Sequence, residues 1–528
     1  MKKLFILFFF ISILSSDVVA QRRYLDPLFK VQCIEDVIYG ENISINDTLP
    51  FREALLLDLY LPIGDSQAKR PLVLITHTGN FLPLFFSGFP VGSKKDSSVV
   101  ATAQYLAARG FVAAVYTFRQ VWAFASVDEY FRSGSFVRAV YRGIQDTRTC
   151  IRYFKRSAID QNNLFGIDTG KICVWGMGTG GYLALGAASL NDVSEILTDN
   201  FTDPNTLIHY IDTSVIGNIY GTNLATESIP NHPEYSSNFQ LAVSVGGAIL
   251  DSSWLDGEEI EPLYTGVHCT SAYVTPYHNG YHRTPHPNWV NASVSGTRKA
   301  IELANQLNKN DAFKVLTVED DQLKLLIENQ KSRKITLIIN NQKLNMGTDN
   351  FYGFDVPIIY QGRPYVQEFP WDWWSYDTLV EVVKRINQLD SSNFDADYLH
   401  RNGLGTNPDM SAEKGRRYLD TINALVIPRL CIALNLGCFS TGLKSEKYTK
   451  HELKVYPNPI TDQMILEIDP AVKIELVQVF RLDGRLVFSK ILNQPGDVTV
   501  SNLCLPPGLY LIRANSENKI FSSRIIIR

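Results

Sequence analysis

The chain has 528 residues, of which 45% are hydrophobic and 20% charged, and its formal net charge at pH 7 is −4. This length predicts two or three domains. The small net charge and the lack of a basic stripe argue against nucleic acid as a partner.

The N-terminus has the layout of a secretory signal peptide. Lys2 and Lys3 form a charged start, residues 4–14 an apolar run, and residues 18–20 a small-residue cleavage site before Gln21. The run is too short to span a bilayer, and no later segment is long and apolar enough to do so. We therefore predict an exported protein that has no transmembrane segment once mature.

Apolar runs alternate with helical patterns over the next 150 residues. Two strand-like runs lie between residues 34 and 61, and the other predicted strands and helices are 71–76, 99–109 (helix), 111–116, 142–156 (helix), 172–175 and 182–190 (helix). Strands separated by helices of this length predict a parallel sheet with right-handed crossovers.

The turn after residues 172–175 carries the main chemical signal. It reads Gly176-Met177-Gly178-Thr179-Gly180, between a buried strand and a helix rich in Leu and Ala. This is the layout of a nucleophile elbow, G-x-S-x-G, with glycine where the serine stands. Gly176, Gly178 and Gly181 also fit the dinucleotide-binding spacing G-x-G-x-x-G. That alternative is weak, because the motif lies far into the chain and the residues around Asn191 resemble a loop.

Residues 53–190 resemble the secreted esterase branch of the α/β-hydrolases. The resemblance is carried by segments 57–62, 71–81, 105–111 and 165–181, in order and spacing. It implies a doubly wound, mostly parallel sheet. The family's H-G-G-G segment, which supplies an oxyanion-hole N–H, corresponds to His77, Thr78, Gly79 and Asn80, and the other donor would be the Thr179 N–H.

All three positions of a Ser-Asp-His triad are empty by this resemblance. Gly178 holds the nucleophile position, and Ala272 holds the acidic position in a turn after the seventh strand. Asp251, after the sixth strand, is a displaced acid or, as we favour, a loop carboxylate that caps the turn of Trp254. The family places the base after an eighth strand, which we assign to residues 313–318, and His400 is then the candidate in this domain.

Other candidate groups receive structural interpretations. Thr179 is a fallback nucleophile, but its side chain is expected to point away from the attack position. The histidines at 278, 282 and 286 share no helix face, so a surface loop is favoured over a metal site, and no cofactor is predicted. Ser411, in the S-x-x-K sequence 411–414, is interpreted as a helix cap. The last helix of the domain runs from there to about residue 425.

Three further features concern packing. Residues 319–350 are charged and are predicted to form an insertion or lid. The aromatic cluster at 370–374 is expected to pack under a loop rather than to stack a ligand. Cys431 and Cys438 are close enough to pair in an oxidising compartment, whereas Cys173 is expected to pack on its strand.

The C-terminal region differs in character. After a polar linker at 441–450, residues 451–528 form short β runs separated by turn signals. This segment resembles the C-terminal sorting domain of type IX secretion substrates, a small Ig-like β-sandwich. The resemblance implies that the type IX machinery is a partner and that the protein is secreted or reaches the outer-membrane surface, usually after the domain is removed. A carbohydrate-binding sandwich is the alternative, but it lacks an evident aromatic platform.

These observations predict four segments: a signal peptide (1–20), a hydrolase-like domain (21–440), a linker (441–450) and a sorting domain (451–528). The favoured hypothesis is a pseudo-hydrolase that binds a small acyl or carboxylate ligand at His77, Gly79, Asn80 and Thr179. Two alternatives stay open: an active carboxylic-ester hydrolase with a non-standard nucleophile, and a structural surface or adhesion protein.

Overall fold

The structure, a computed structural model, describes residues 22–439 and 453–528, apart from positions 47–48, 284–291, 338–340, 361, 391, 468–471, 482–485, 502, 504 and 517–518. The predicted signal peptide and linker lie outside the described residues. The chain divides into two compact units, residues 1–439 and residues 440–528.

The strands follow one another along the described chain. They are β1 (Lys30–Asn46), β2 (Leu49–Ile63), β3 (Arg70–Thr76), β4 (Val112–Tyr116), β5 (Ile167–Met177), β6 (Leu241–Val245), β7 (Ala248–Ile249), β8 (Leu263–Cys269), β9 (Asn279–Tyr281), β10 (Ser293–Gly296), β11 (Lys334–Thr336), β12 (Lys343–Asn345), β13 (Phe351–Phe354), β14 (Pro357–Tyr360), β15 (Arg363–Val366), β16 (Lys454–Tyr456), β17 (Gln463–Glu467), β18 (Lys473–Arg481), β19 (Leu486–Pro495), β20 (Val498–Ser501), β21 (Gly508–Ser516) and β22 (Lys519–Ile527).

Among the described residues, all helices belong to the first unit. They are α1 (Ser97–Ala107), α2 (Glu129–Asp160), α3 (Gly180–Ser189), α4 (Thr213–Ile216), α5 (Thr297–Gln306), α6 (Lys324–Ser332), α7 (Tyr376–Asp390), α8 (Ala396–Leu404) and α9 (Ala412–Ala433). None of the helices in the described part of the chain is long and apolar enough to cross a membrane.

An eight-stranded sheet forms the centre of the first unit, in the order β1-β2-β4-β3-β5-β6-β8-β13. Strand β2 runs antiparallel to β1 and β4, and the pairs from β4 to β13 are parallel. Strands of such a sheet are buried on both faces, which explains their continuous apolar runs. Helices α2, α3 and α5 pack on one face, and α1 and α9 on the other. The predicted fold class, an α/β doubly wound and mostly parallel sheet, is confirmed.

Two helices extend beyond their predicted ends. Helix α2 starts at Glu129 rather than at 142, and the Asp128 carboxylate caps it by accepting the N–H groups of Tyr130 and Phe131. Gly134 and its flanking serines are weak helix formers, but they lie buried in the packed helix. Helix α9 continues past 425 to Ala433, through Pro428. Its buried face outweighs the cost of an internal proline, about 3 kcal/mol.

The eighth strand of the sheet is not where the sequence placed it. Residues 313–318 were predicted to form it, but Asp311–Val315 is a 3₁₀ turn, and the strand that pairs with β8 is β13. Helix α6 and the hairpin of β11 and β12 lie between them, so the charged segment 319–350 is inserted between the seventh and eighth strands. The short, aromatic sequence of β13 carries little strand signal by itself.

The second unit consists of two antiparallel sheets, β16-β17-β20 and β19-β18-β21-β22. Alternate residues of these strands form one core, with Met464, Val479, Val500, Ile512 and Ile525 among its buried members. This period-two pattern is the one expected for a small β-sandwich, and the prediction of such a domain is confirmed.

Candidate functional site

The site is built around the turn between β5 and α3. Gly178 has a φ of +56°, in the left-handed region, and its N–H donates to the Val245 carbonyl at 2.8 Å. Glycine adopts this conformation without the penalty that a side chain incurs. The backbone therefore has the sharp strand-to-helix turn of a nucleophile elbow, without a side chain at its tip.

Thr78 fills the space that a nucleophile side chain would need. A Cβ at position 178 would lie 2.3 Å from Thr78 Oγ1 and 2.6 Å from Thr78 Cβ, well inside van der Waals contact. The sequence analysis did not single out Thr78. The signal was present, however, because Thr78 stands at the first glycine of the H-G-G-G segment.

The predicted oxyanion-hole donor, the Thr179 N–H, and the Asn80 N–H, in the segment expected to supply the other donor, both make hydrogen bonds inside the protein. The Thr179 N–H donates to Thr78 Oγ1 at 3.4 Å, a long bond. The Asn80 N–H donates to Thr179 Oγ1 at 3.0 Å. In addition, the Trp122 indole N–H donates to the Asn80 carbonyl at 2.8 Å, which holds this segment in place. An oxyanion would have to displace these bonds in order to bind here.

The space at the elbow is small. Gly79, Asn80 and Thr179 line a cavity of about 30 Å³, far below the roughly 300–1,000 Å³ of small-molecule sites. We call it the elbow cavity. It has no room for an ester substrate, nor for the pyrophosphate that the dinucleotide alternative requires.

A much larger cavity of about 580 Å³ lies beside it, and we call it the cleft. His77, Thr117 and Phe118 contribute to it from the carboxyl ends of β3 and β4. Its other walls come from the loop before α1 (residues 84–97), from the start of α7 and from β2. Pro90, Val91 and Trp374 line both cavities and separate them: Pro90 and Val91 come from the loop, and Trp374 precedes α7. The predicted ligand contacts are therefore divided, with His77 in the cleft and the other three at the elbow.

His77 is held neutral in the cleft wall. It is 2% exposed, its ring stacks on Phe118 at 4.9 Å between centroids, and its Nδ1 lies 2.5 Å from the Thr78 carbonyl. Burial lowers its pKa to about 4. Nδ1 therefore carries the proton and donates to that carbonyl, which leaves Nε2 as the hydrogen-bond acceptor of the ring.

Ala272 lies in the turn after β8, the seventh strand of the main sheet, and is 7% exposed. The segment after the eighth strand packs against this turn: the Ser271 hydroxyl donates to the Gln367 carbonyl at 2.8 Å, and the Val274 N–H donates to Glu368 Oε2 at 3.4 Å. Burial raises the pKa of Glu368 to about 7. The sequence analysis did not consider this carboxyl group.

The fallback acid and base lie apart from the elbow. Asp251 caps a 3₁₀ turn by accepting the Ser253 N–H at 2.9 Å, and Asn200 donates to its other oxygen at 3.3 Å. His400, on α8, accepts the Trp374 indole N–H at its Nδ1 at 3.0 Å. Neither residue lines the elbow cavity or the cleft.

Two buried carboxyl groups lie on either side of the partition between the cavities. Asp372 lines the elbow cavity and accepts the Ser98 hydroxyl at 2.7 Å. Asp96 lines the cleft and accepts the N–H groups of Gly92 and Ser93 at 2.8 and 3.1 Å. Burial raises the pKa of Asp372 to about 6. Burial, together with the nearby charge of Asp372, raises that of Asp96 to about 8.

His278 and His282 are not exposed on the surface loop that their sequence pattern favoured. His282 is fully buried, stacks on Phe136 at 4.3 Å and interacts with the Tyr182 hydroxyl at 3.0 Å. His278 pairs with Glu302 at 3.3 Å, and His286 lies outside the described residues. Among the residues that the structure describes, no cluster of His, Cys, Asp or Glu could hold a metal ion.

Other predicted roles are seen in the structure. Ser411 caps α9 by accepting the Lys414 N–H. In the aromatic cluster Trp371 and Trp373 are buried as expected, but Trp373 and Trp374 also line the cleft, which the prediction of packing alone did not include. Cys431 and Cys438 form a disulfide with Cα atoms 5.8 Å apart, and Cys173 is buried on β5.

Comparisons with known proteins bear on both units. Residues 454–528 match the family model of the secretion system C-terminal sorting domain. Solved structures similar to this chain include esterase 2 of Thermogutta terrifontis phosphorylated by paraoxon, at 17% identity over 46% of this chain and 73% of that chain, with a TM-score of 0.29. The butyrate-bound form of that esterase is 17% identical over 48% of this chain and 75% of its own, with a TM-score of 0.28. No curated protein sequence matches the chain.

The strand order and the elbow define the first unit as an α/β-hydrolase fold. The matched tail is a type IX sorting domain, which directs the protein to the cell surface or the extracellular space.

Proposed function

We propose that this exported protein binds a small ligand without hydrolysing it. The observation that carries the proposal is the occupied elbow. Thr78 fills the nucleophile position, and the N–H groups of Thr179 and Asn80 already have acceptors inside the protein. Acyl transfer needs a hydroxyl that a base activates and free donors for the oxyanion.

The cleft is the binding site in this proposal. Its volume of about 580 Å³ falls within the range of small-molecule sites, roughly 300–1,000 Å³. It also lies outside the carboxyl ends of parallel strands, where α/β proteins bind ligands. His77 is the predicted contact that reaches it directly. Gly79, Asn80 and Thr179 reach a ligand only if the partition at Pro90 and Val91 moves.

The test combines activity with binding. We expect the purified protein neither to hydrolyse short acyl esters above background nor to react with a fluorophosphonate probe. A panel of carboxylates and acylated sugars should include compounds that raise the melting temperature. Thr378→Trp, at an exposed position lining the cleft, should remove that shift. Val380→Trp, exposed on the same helix but outside the cleft, should keep it. If no compound shifts the wild type, or if Thr378→Trp retains the shift, the proposal is wrong.

One observation favours an active hydrolase as the second candidate. A hydroxyl, that of Thr78, does lie at the tip of the elbow, and Asp372 lines the same cavity. Fluorophosphonate labelling mapped to Thr78 by mass spectrometry would establish this alternative. The expected absence of labelling would remove it.

A further inference from the structure

The lysines that line the cleft have their charges matched within the protein. Lys94 Nζ lies 2.7 Å from Asp36 and also pairs with Asp58. Lys95 Nζ lies 2.8 Å from both Glu35 and Asp58. Three carboxylates therefore surround two ammonium groups, and neither lysine is available as an unpaired cation for an anionic ligand.

Apart from the paired lysines, three titratable groups that line the cleft favour their uncharged forms. Burial raises the pKa of Glu53, which accepts the Ser44 hydroxyl, and burial raises the pKa of Asp96 to about 8. Burial lowers the pKa of His77 to about 4. Desolvation penalises whichever form is charged, so shifts in opposite directions for acids and a base have one cause.

Apolar side chains also line the cleft. Leu379 and Val382 come from α7, Phe85 from the loop before α1, and Phe118, which stacks on His77, and Trp373 are the others. Such a surface gains free energy by covering a hydrocarbon or ring body. His77 Nε2, in the polar wall, is an acceptor on a side chain that is 2% exposed and fixed by stacking and by its Nδ1 bond.

We infer that the cleft takes an uncharged amphiphile, with its apolar body against α7 and one hydroxyl or N–H group donating to His77 Nε2. This inference rests on the proposed function. Of the two ligand types predicted from the sequence, it selects the uncharged, acyl-bearing type over the carboxylate. An anionic ligand would give up water without meeting an unpaired lysine in the wall, and burying an unpaired charge is costly.

Four eight-carbon probes of matched body test the inference: 1-octanol, octanoate, octylammonium and heptyl methyl ether. Titration calorimetry at pH 7 on the secreted protein should show octanol binding at least about tenfold more tightly than either ion. The affinity for octanol should also be about fivefold higher than the affinity for the ether, because only the alcohol donates a hydrogen bond.

Two variants locate the interactions. Thr378→Trp should weaken the binding of both octanol and the ether by about tenfold or more, because it blocks the cleft. Val380→Trp should leave both affinities unchanged. His77→Phe keeps a ring against Phe118 but has no acceptor, so it should remove the preference for octanol over the ether. If this variant fails to fold, the comparison of octanol with the ether on the wild type still decides the role of the donor.

The outcomes separate the inference from the proposed function. Equal or tighter binding of octanoate or octylammonium would overturn the inference and leave non-hydrolytic binding in the cleft intact. Equal affinities of octanol and the ether, or no binding by any of the four probes, would also overturn it. The proposed function is tested separately: it is wrong if no compound of the panel shifts the melting temperature or if the protein hydrolyses esters.

Discussion

At the scale of single residues, the tip of the elbow has no side chain of its own and is filled by a neighbouring segment. Gly178 keeps the left-handed backbone of the turn, and Thr78 occupies the volume that a serine would use. Thr78, Thr179 and Asn80 then satisfy one another through two hydrogen bonds. The tip of the elbow is therefore a packed cluster of polar groups.

This packing predicts that Gly178→Ser destabilises the protein without creating an esterase. The new Cβ would overlap Thr78, and overpacking of this kind costs about 1–3 kcal/mol. Thermal unfolding should show the loss, and hydrolysis of p-nitrophenyl acetate should stay at background because Ala272 supplies no acid.

The double variant Gly178→Ser/Thr78→Gly is the matched test of that overlap. It should recover part of the stability lost in the single variant, because neighbouring sites that clash are coupled. If the double variant is less stable than Gly178→Ser alone, as independent effects would make it, the overlap with Thr78 is not the cause of the loss. Measurable ester hydrolysis by either variant would also contradict this account of the elbow.

Asp96 predicts a dependence of stability on pH. Its pKa in the folded protein, about 8, lies above its ordinary value of 3.8, so the folded state keeps a proton that the unfolded chain releases. The contribution to stability is complete below about pH 4 and is lost as the pH rises through about 8. Urea unfolding from pH 5 to 9 should therefore show a stability loss in the wild type that is smaller in Asp96→Asn.

Asp372→Asn provides the companion measurement. Removing the neighbouring charge should lower the pKa of Asp96, and the substitution also removes the raised pKa of Asp372 itself, so the stability loss should be smaller and should end at a lower pH. A wild type that gains stability relative to Asp96→Asn between pH 5 and 8 would show that Asp96 is ionised in the folded state.

At the scale of elements, the position of α3 depends on its glycines. A Cβ on Gly181 would lie 2.5 Å from Ser244 Oγ and 2.7 Å from the Gly247 Cα. The N-terminal turn of α3 therefore touches the end of β6 backbone to backbone. This contact sets the angle of the elbow, and a side chain there would push the helix away from the sheet.

We therefore expect Gly181→Ala to lower the free energy of unfolding by about 1–3 kcal/mol, as overpacking does. Gly170→Ala is the control, because its Cβ would meet only an Asp168 oxygen at 3.5 Å. Urea unfolding followed by tryptophan fluorescence measures both. Similar stabilities for the two variants would mean that α3 can shift without cost.

Much of this architecture could be predicted from the sequence. Continuous apolar runs identified β3, β4 and β5, and turn glycines identified the elbow, because both signals are local. The eighth strand could not be predicted, since the aromatic residues of β13 become a strand only by pairing with β8. The extension of α9 through Pro428 was missed for the same reason, because tertiary burial overrode local propensity.

The candidate site was less predictable than the fold. The identity of a single residue, Gly178, predicts a nucleophile position without a side chain. The match to the H-G-G-G segment indicated that His77 and Asn80 lie near the site. The roles of Thr78, Asp96 and Glu368 depend on distances between segments far apart in the chain. No spacing rule predicts that the elbow closes to about 30 Å³ while a cleft of about 580 Å³ lies beside it.

At the scale of the whole molecule, the predicted signal peptide and the sorting domain together predict the length of the mature protein. The N-terminal 20 residues and the sorting domain are both expected to be removed during export. Intact mass of the extracellular species should correspond to a chain that starts near Gln21 and ends near residue 445. Full-length protein found only in the cytoplasm would contradict this.

The disulfide between Cys431 and Cys438 has a consequence for the protein after such trimming. It ties the last turn of α9 to the residues just before 440, and α9 covers one face of the sheet. A newly cut chain end would normally fray into the helix that precedes it. Here the covalent ring stops fraying before it reaches the buried turns. The amide protons of Val426, Ile427, Arg429 and Leu430 should thus exchange with deuterium as slowly in the trimmed protein as in the full chain, and faster only after the disulfide is reduced.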